Sequence, residues 1–431
     1  MSVTIVVGAQ WGDEAKGKIV DLLSQQAEIT ARYNGGDNAG HTVVNQYGTF
    51  KLRLTPNGFS NPNTTCVIGP GVVVNLATLI DEIDRIQQAG IELNGRLWIS
   101  PRCNIVMPYH PLVEGIYESA KGEGQTGTTR RGMGPVYADK VSYNGIRLAD
   151  LFDPAVFAEK LAVQLKVKNA LFQAFGIPSL DAQVVLDEKL AQFARVRAMV
   201  RDPFGLLQAA LHRDGMILLE GAQGTFLDND WGTYPYCTAS TTIAGGAAAG
   251  LGIAPRWVSR VIGVAKAYTT RVGRGPFPSE LLDETGEAIR QAGAEYGTVT
   301  GRPRRCGWFD AELLRFSSQL NGFTEIALTK LDVLDGLPSL KVGVGYKPRG
   351  TRDDAMLTHY WEGDARWLEG YEPVYIEMDG WLKSTKDIRT FDQLPPQAQA
   401  YVRRLEELLE TPISLVSTGP SREEIIQVPK L

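Results

Sequence analysis

The chain has 431 residues, of which 43% are hydrophobic and 22% are charged, and this composition is typical of an ordinary globular protein. The length suggests two or three domains and is sufficient to bury a large core. The net charge of −5 gives no indication of a nucleic-acid or anionic-membrane partner, since such partners attract basic proteins.

The predicted elements alternate between strands and helices. In chain order, strands are predicted at 4–7, 29–33, 66–68, 216–219, 258–268, 325–329, 340–345 and 413–416. Helices are predicted at 18–25, 76–88, 309–320 and 396–409, and the range of about 154–213 is predicted to be mostly helical. This alternation favours an α/β fold with a mainly parallel central sheet that helices cover on both faces.

The N-terminus and the cysteines indicate the cellular compartment. The first residues, MSVTIVVGAQWGDE, lack a basic region, so they are not expected to form a signal peptide, and no apolar run is long enough to span a bilayer. Cys66, Cys103, Cys237 and Cys306 are far apart and are not spaced as metal ligands. We therefore expect a soluble cytoplasmic protein with free thiols.

The first predicted strand leads into a glycine-rich loop, GDEAKGK at 12–18. Its G-x-x-x-x-G-K spacing is typical of a phosphate-binding loop, in which backbone N–H groups and the helix N-terminus face the anion. Ile19 stands where Ser or Thr would bind magnesium, and Asp13 and Glu14 add carboxylates beside the phosphates. We expect a modified loop in which Asp13 binds magnesium or moves a proton, and a glycine-rich turn capped by Asp13 is the alternative.

Two further segments suggest nucleotide recognition. GGDNAGHT at 35–42 combines paired glycines, which permit close backbone approach, with His41, which is able to donate to an anionic oxygen or to act as acid and base. TKLD at 329–332 is similar to the guanine-recognising NKxD element, because the Asp332 carboxylate can accept from two donors of guanine. STGP at 417–420 follows another strand and is placed to close over a base.

Three loops carry polar groups suited to anions. GRPRR at 301–305 and TGTTRRG at 126–132 are rich in guanidinium groups, which match carboxylates and phosphates, and GAQG at 221–224 offers an amide beside flexible backbone. A solvated basic loop is the alternative for GRPRR, a Lys–Asp surface pair is the alternative for TKLD, and a structural histidine is the alternative for His41. Together the motifs describe a site for two nucleotides and a carboxylate.

The chain resembles the adenylosuccinate synthetase family over essentially its whole length, in QWGDEAKGK, GGDNAGHT, GTTRRGMGP, EGAQGTFLD, GTYPYCTAS, TRVGRGPFP, GRPRRCGW, TKLDVLDG and STGP. The resemblance implies a single large α/β domain, 1–431, with a helical insertion at about 154–213, a P-loop-like GTP site and a homodimer. It also implies a two-step reaction. GTP phosphorylates O6 of IMP, and L-aspartate then displaces phosphate from 6-phosphoryl-IMP, giving adenylosuccinate.

The resemblance also assigns individual residues. It implies that Asp13 removes the N1 proton of IMP and binds Mg²⁺ together with the Gly40 carbonyl, and that His41 donates to the transferring phosphoryl group. Implied GTP contacts are Gly12, Glu14, Lys16, Gly17, Lys18, Gly40, His41, Thr42, Lys330, Asp332, Ser417 and Gly419. Implied IMP contacts are Asp13, Asn38, Thr129, Gln223, Thr238 and Arg302, and implied aspartate contacts are Thr298, Thr300, Arg302 and Arg304.

Four residues depart from the family pattern. Ala15 replaces a glycine of the phosphate loop, which is costly if that backbone has positive φ, and Tyr143 replaces an arginine that reaches across the dimer to the IMP phosphate. Ala239 replaces a serine and Val299 a threonine. These changes leave open a related synthetase that acts on another 6-oxopurine nucleotide, such as GMP or dGMP. A non-catalytic GTP-binding protein on the same scaffold is a further alternative, which the retained base, histidine and arginine loop disfavour.

Overall fold

The computed structural model describes residues 3–297, 301, 303–351 and 365–430. Its strands are β1 (Val3–Gly8), β2 (Ile29–Arg32), β3 (His41–Asn45), β4 (Gly48–Leu52), β5 (Thr65–Ile68), β6 (Val73–Val74), β7 (Leu97–Ile99), β8 (Asn104–Ile105), β9 (Ile217–Glu220), β10 (Val258–Lys266), β11 (Thr269–Arg271), β12 (Arg305–Gly307), β13 (Phe309–Asp310), β14 (Glu325–Thr329), β15 (Ser339–Pro348), β16 (Tyr371–Asp379), β17 (Ile413–Ser417) and β18 (Ile425–Gln427). Its helices are α1 (Lys16–Ser24), α2 (Leu76–Gln88), α3 (Tyr109–Ala120), α4 (Met133–Val141), α5 (Pro154–Ala174), α6 (Ala182–Val196), α7 (Phe204–His212), α8 (Gly245–Leu251), α9 (Glu284–Ala292), α10 (Ala311–Asn321), α11 (Ala365–Glu369) and α12 (Pro396–Leu409).

The largest sheet has nine strands in the order β18-β17-β14-β10-β1-β9-β2-β5-β7. Every neighbouring pair is parallel except β17 and β18, which are antiparallel. All six residues of β1 are buried, as expected for a central strand with both faces covered. The prediction of an α/β fold around a mainly parallel sheet is therefore confirmed.

Helix α1 begins two residues earlier than predicted, at Lys16, so Gly17 and Lys18 lie in its first turn. Ile19 and Val20 of this helix are buried beside Val6 of β1 and Leu218 of β9. This packing fixes the N-terminus of α1 directly after the loop that follows the central strand.

The range 154–213 is mostly helical, as predicted, and contains α5, α6 and α7. Phe157, Phe172 and Phe193 of α5 and α6 are buried in a core shared with Leu79 and Ile83 of α2. That these helices form an insertion within one domain remains a prediction.

Among the described residues, no helix has the length and apolar character needed to cross a membrane.

Two predicted boundaries are corrected by local contacts. The helix expected at 309–320 begins at Ala311, because the Asp310 carboxylate caps it by accepting from the backbone N–H of Leu313 at 3.1 Å. The strand expected to continue to residue 268 ends at Lys266.

The strand ends explain why distant motifs converge. The segments at 12–18, 35–42, 221–224, 329–332 and 417–420 lie at or shortly after the carboxyl ends of β1, β2, β9, β14 and β17, respectively. Because these strands are mutually parallel, their carboxyl ends lie at one edge of the sheet, where α/β proteins bind ligands.

Candidate active site

The loop between β1 and α1 has left-handed backbone at three residues, Gly12 (φ 86), Asp13 (φ 61) and Ala15 (φ 64). The fully buried Glu14 carboxylate accepts from the backbone N–H of Gly12 at 2.7 Å and from the Lys16 ammonium at 2.6 Å. This carboxylate therefore organises the loop from within. The positive φ at Ala15 is the costly conformation that the sequence departure predicted.

The side chain of Asp13 contacts the arginine-rich segment. The Arg304 Nε donates to Asp13 Oδ2 at 2.8 Å, and the two side chains are 8% and 28% exposed, respectively. The candidate base and a candidate aspartate-binding residue, which are 291 positions apart in sequence, are thus in direct contact. The partial exposure of Asp13 leaves its carboxylate accessible to a ligand.

His41 lies against the first turn of α1. A Cβ added at Gly17 would lie 3.2 Å from Asn57 Nδ2 and 3.3 Å from the His41 Cβ, so a larger residue at position 17 would crowd the histidine. Burial, followed by the nearby Arg32 and Lys16 charges, holds the His41 pKa well below its usual value. Its Nδ1 lies 3.9 Å from Glu220 Oε1, and its buried Nε2 has no hydrogen-bond partner in the part of the chain that the structure describes.

Three candidate IMP contacts form a hydrogen-bonded group. Asn38 donates to the Thr238 hydroxyl at 3.2 Å and accepts from the Gln223 amide at 3.1 Å. The Oε1 of Gln223 is buried and, within the described ranges, accepts no hydrogen bond. Thr129, by contrast, is exposed and makes no hydrogen bond to this group.

The two candidate guanine segments approach the phosphate loop. The Lys18 ammonium donates to the Ser417 hydroxyl at 2.7 Å and to the Gly419 carbonyl at 2.5 Å, and burial lowers its pKa to about 8. Thr329 donates to the backbone carbonyl of Glu14 at 2.8 Å. These contacts join the loops after β1, β14 and β17.

Asp332 has the free acceptor that the guanine hypothesis requires. Its Oδ1 is buried and accepts no hydrogen bond from any described residue. Burial raises the pKa of this carboxyl, since desolvation disfavours its charged form. A ligand that brings N–H donors to this atom would satisfy it.

Sequence reasoning missed two buried acids at this edge of the sheet. Glu295 is fully buried and accepts from Lys330 at 2.7 Å, and Glu220 accepts from the backbone N–H of Asn57 at 2.8 Å. Glu220 is the first residue of the EGAQGTFLD segment and Glu295 precedes the arginine-rich loop, but neither had been assigned a role. The concentration of Lys and Arg in those motifs was an available signal, because buried cations require buried counter-charges.

Comparison with known proteins decides the family. The family model described as adenylosuccinate synthetase matches residues 5–426. An adenylosuccinate synthetase of Heliobacterium modesticaldum is 49% identical over 429 residues, which cover 99% of each chain. The chain belongs to the adenylosuccinate synthetase family.

Solved structures agree with this assignment. The fully ligated adenylosuccinate synthetase from Plasmodium falciparum has a TM-score of 0.93 and 38% identity, with all of both chains covered. A cyanophage S-2L succinoaminodeoxyadenylate synthetase bound to dGMP and dATP has a TM-score of 0.62 and 21% identity, and covers 100% of this chain and 96% of its own. The latter similarity shows the fold alone. The family model, the relative at 49% identity and the Plasmodium falciparum structure favour an adenylosuccinate synthetase over the alternative of a dGMP-type substrate.

The departures from the family pattern lie in different surroundings. Tyr143 is 96% exposed and follows the end of α4, and Ala239 is half-buried beside Thr238.

Thr42 is exposed on β3, and Gly40 precedes this strand. Several expected residues of the aspartate loop, Thr298, Val299, Thr300 and Arg302, lie outside the described residues.

The expected donors, the Asp13 carboxylate and the Gly40 carbonyl, are of a type that suits Mg²⁺ bound mainly through a substrate. The described residues contain no group of three or more His, Cys, Asp or Glu side chains able to hold a metal ion. Mg²⁺ is commonly bound by one or two carboxylates together with substrate phosphates and water. One carboxylate and one backbone carbonyl, as expected for Asp13 and Gly40, are consistent with that chemistry.

Proposed function

We propose that this chain joins L-aspartate to C6 of IMP in two steps at the expense of GTP, with Asp13 as base and His41 as the donor to the transferring phosphoryl group. The observation that carries the assignment is the 2.8 Å contact between Asp13 and Arg304. It brings a carboxylate of the phosphate loop to the arginine segment expected to bind aspartate. A protein that only bound GTP would have no need of this pairing.

In the first step, Asp13 takes the proton from N1 of IMP, and O6 then attacks the γ-phosphorus of GTP. The bond from that phosphorus to the bridging oxygen breaks, and GDP leaves. Asp13 suits this task because its carboxylate is partly exposed and lies at the contact between the phosphate loop and Arg304. General-base help of this kind typically contributes ~10²–10⁴-fold to rate.

His41 acts on the charge that spreads over the transferring phosphoryl oxygens. Its low pKa keeps the imidazole neutral, so one ring nitrogen carries a proton and the other does not. We assign the proton to Nε2, because this buried atom has no competing partner among the described residues and is therefore available to donate to a phosphoryl oxygen. A preorganised donor in a dry site stabilises developing charge without reorganisation.

The GTP base is bound between Asp332 and the segment at 417–419. The unpartnered Oδ1 of Asp332 accepts from guanine, whose N1–H and 2-amino donors adenine lacks. Lys18 holds Ser417 and Gly419 beside the phosphate loop, so binding of the base and of the phosphates is coupled through one side chain. Mg²⁺ held by Asp13 and the Gly40 carbonyl would neutralise phosphate charge when bound.

In the second step, the neutral amine of L-aspartate attacks C6, the bond from C6 to O6 breaks, and O6 leaves as part of the phosphate. The proton that the attacking nitrogen loses passes to the departing phosphate. Arg304 binds a carboxylate of the incoming amino acid, for which its planar guanidinium is suited. Asn38, Gln223 and Thr238 hold the IMP, and their mutual hydrogen bonds orient the amide groups towards it. The product is adenylosuccinate.

We also propose a homodimer in the cytoplasm. Tyr117, Val141 and Tyr143 are 62%, 71% and 96% exposed on or beside helices α3 and α4, and packing against a second copy would remove such side chains from water. The four cysteines are unpaired, which supports a reducing compartment.

The test is a three-substrate assay in which purified protein is incubated with GTP, IMP and L-aspartate, and the products are identified by mass. We expect adenylosuccinate, GDP and phosphate in equal amounts, and no product when any one substrate is omitted. Replacing IMP by GMP or dGMP tests the alternative substrate. Faster turnover with either of these nucleotides would contradict the assignment of IMP.

A further inference from the structure

The fully buried carboxylate of Glu295 forms ion pairs with three cations from three separate segments. Its Oε1 accepts from Lys266 at 2.8 Å and from Lys330 at 2.7 Å, and its Oε2 accepts from Arg304 at 2.7 Å. The Tyr268 hydroxyl also donates to Oε1, at 2.5 Å. Glu295 and Lys266 are both 0% exposed, so these charges are shielded from water.

One of these cations belongs to the aspartate side of the site. Arg304 donates with Nη1 to Glu295 and with Nε to Asp13, so its guanidinium is held between two carboxylates. When L-aspartate replaces the Asp13 contact, Glu295 is the partner that still fixes the plane of the guanidinium. A bidentate carboxylate contact depends on that orientation.

Another cation belongs to the guanine side. Lys330 has left-handed backbone, φ 60, and its ammonium is held by Glu295 and by the Gly293 carbonyl at 2.7 Å. Asp332 follows two residues later, in the 3₁₀ turn that Lys330 introduces. A non-glycine residue rarely adopts this backbone unless its surroundings hold it there.

We propose that Glu295 is a positioning residue that fixes Arg304 and Lys330 together and thereby couples the aspartate site to the guanine site. This inference rests on the function proposed above. Glu295 offsets part of the positive charge of Lys266, Lys330 and Arg304. Neutralising it raises the net positive charge, which by itself would favour the incoming dicarboxylate. Weaker aspartate binding in such a variant would therefore report lost orientation of Arg304 and not lost charge.

The test compares Glu295→Gln, which keeps the shape and removes the charge, with Glu280→Gln. Glu280 is the control, because its carboxylate binds the neighbouring Arg305 at 2.7 and 2.5 Å and, among the residues that the structure describes, accepts no hydrogen bond from a proposed substrate-binding side chain. For Glu295→Gln we expect the KM for aspartate to rise at least tenfold and the Kd of a fluorescent GDP analogue, measured without IMP or aspartate, to rise at least threefold. For Glu280→Gln, both constants should stay within twofold of wild type.

Further readouts separate positioning from stability. Glu295→Asp retains the charge, so its KM for aspartate and its Kd for the GDP analogue should lie between those of the wild type and Glu295→Gln. In Glu295→Gln the preference for GTP over ITP, which lacks the 2-amino group, should fall. A lower unfolding temperature with both constants unchanged, or a change in only one of them, would overturn the proposal. If the wild-type protein has no activity, the proposed function is wrong. If the wild type is active, the comparison of variants tests the role of Glu295 alone.

A second measurement applies if Glu295→Gln does not accumulate as folded protein. Arg304→Lys and Lys330→Met are then compared singly and together in kcat/KM for aspartate. Because each disturbs the shared carboxylate, the combined loss should be at least threefold smaller than the product of the single losses. Simple multiplication of the two effects would refute the coupling.

Discussion

Ala15 offers a direct test of strain in the phosphate loop. Its backbone, φ 64 and ψ 33, lies in the left-handed region at the N-cap of α1. This conformation costs an L-residue about 1–2 kcal/mol, and glycine avoids the cost. Glycine also raises the entropy of the unfolded chain, which lowers stability by about 0.4–1 kcal/mol. Ala15→Gly should therefore increase the free energy of unfolding by a net ~0.5–1 kcal/mol.

Ala191, an exposed residue within the helix α6, provides a control of opposite sign. There glycine replaces alanine in ordinary helical backbone, and Ala191→Gly should cost about 0.5–1 kcal/mol. Both variants are measured by urea unfolding, provided that unfolding is reversible and the slopes match wild type. If Ala15→Gly lowers stability as much as Ala191→Gly does, the loop is not strained at residue 15 and the reasoning is wrong.

The remaining predictions concern charge and substrate contacts. Asp13→Asn should reduce kcat by ~10²–10⁴-fold while GDP-analogue binding persists, and near-normal turnover would exclude Asp13 as the base. Asp332→Asn should relax the preference for GTP over ATP in kcat/KM, and a wild type that already uses both would contradict the guanine assignment. Tyr143→Arg should lower the KM for IMP about tenfold, since 1.4 kcal/mol is one decade and a charged contact contributes roughly 1.5–3 kcal/mol; an unchanged KM would defeat this idea. Burial raises the pKa of Asp310 to about 7, so the folded protein binds a proton that the unfolded chain releases near pH 4. The stability of the wild-type protein therefore falls as pH rises from 4 to 7. Over that interval the unfolding free energy of Asp310→Asn should increase relative to that of the wild type. Parallel pH profiles of the two proteins would contradict the raised pKa.

The strands and long helices could be predicted because their signals are local. The helix at 76–88 was predicted at its observed bounds, since Asn75 caps its start and Gly90 follows its end with φ 80. The starts of α1 and α10 were missed by two residues. Their ends depend on contacts such as the Asp310 cap, for which sequence periodicity gives weak evidence.

The sequence by itself determined the family, the alternation of strands and helices, and the loops that carry the candidate ligands, because backbone conformation and motif spacing are properties of short segments. Only the tertiary structure decided which loops touch. The contact of Asp13 with Arg304 and the convergence of Lys266 and Lys330 on Glu295 join residues that are far apart in the chain. Such pairings follow from the order of strands in the sheet, which brings their carboxyl ends to one edge, and from the requirement that a buried charge be paired.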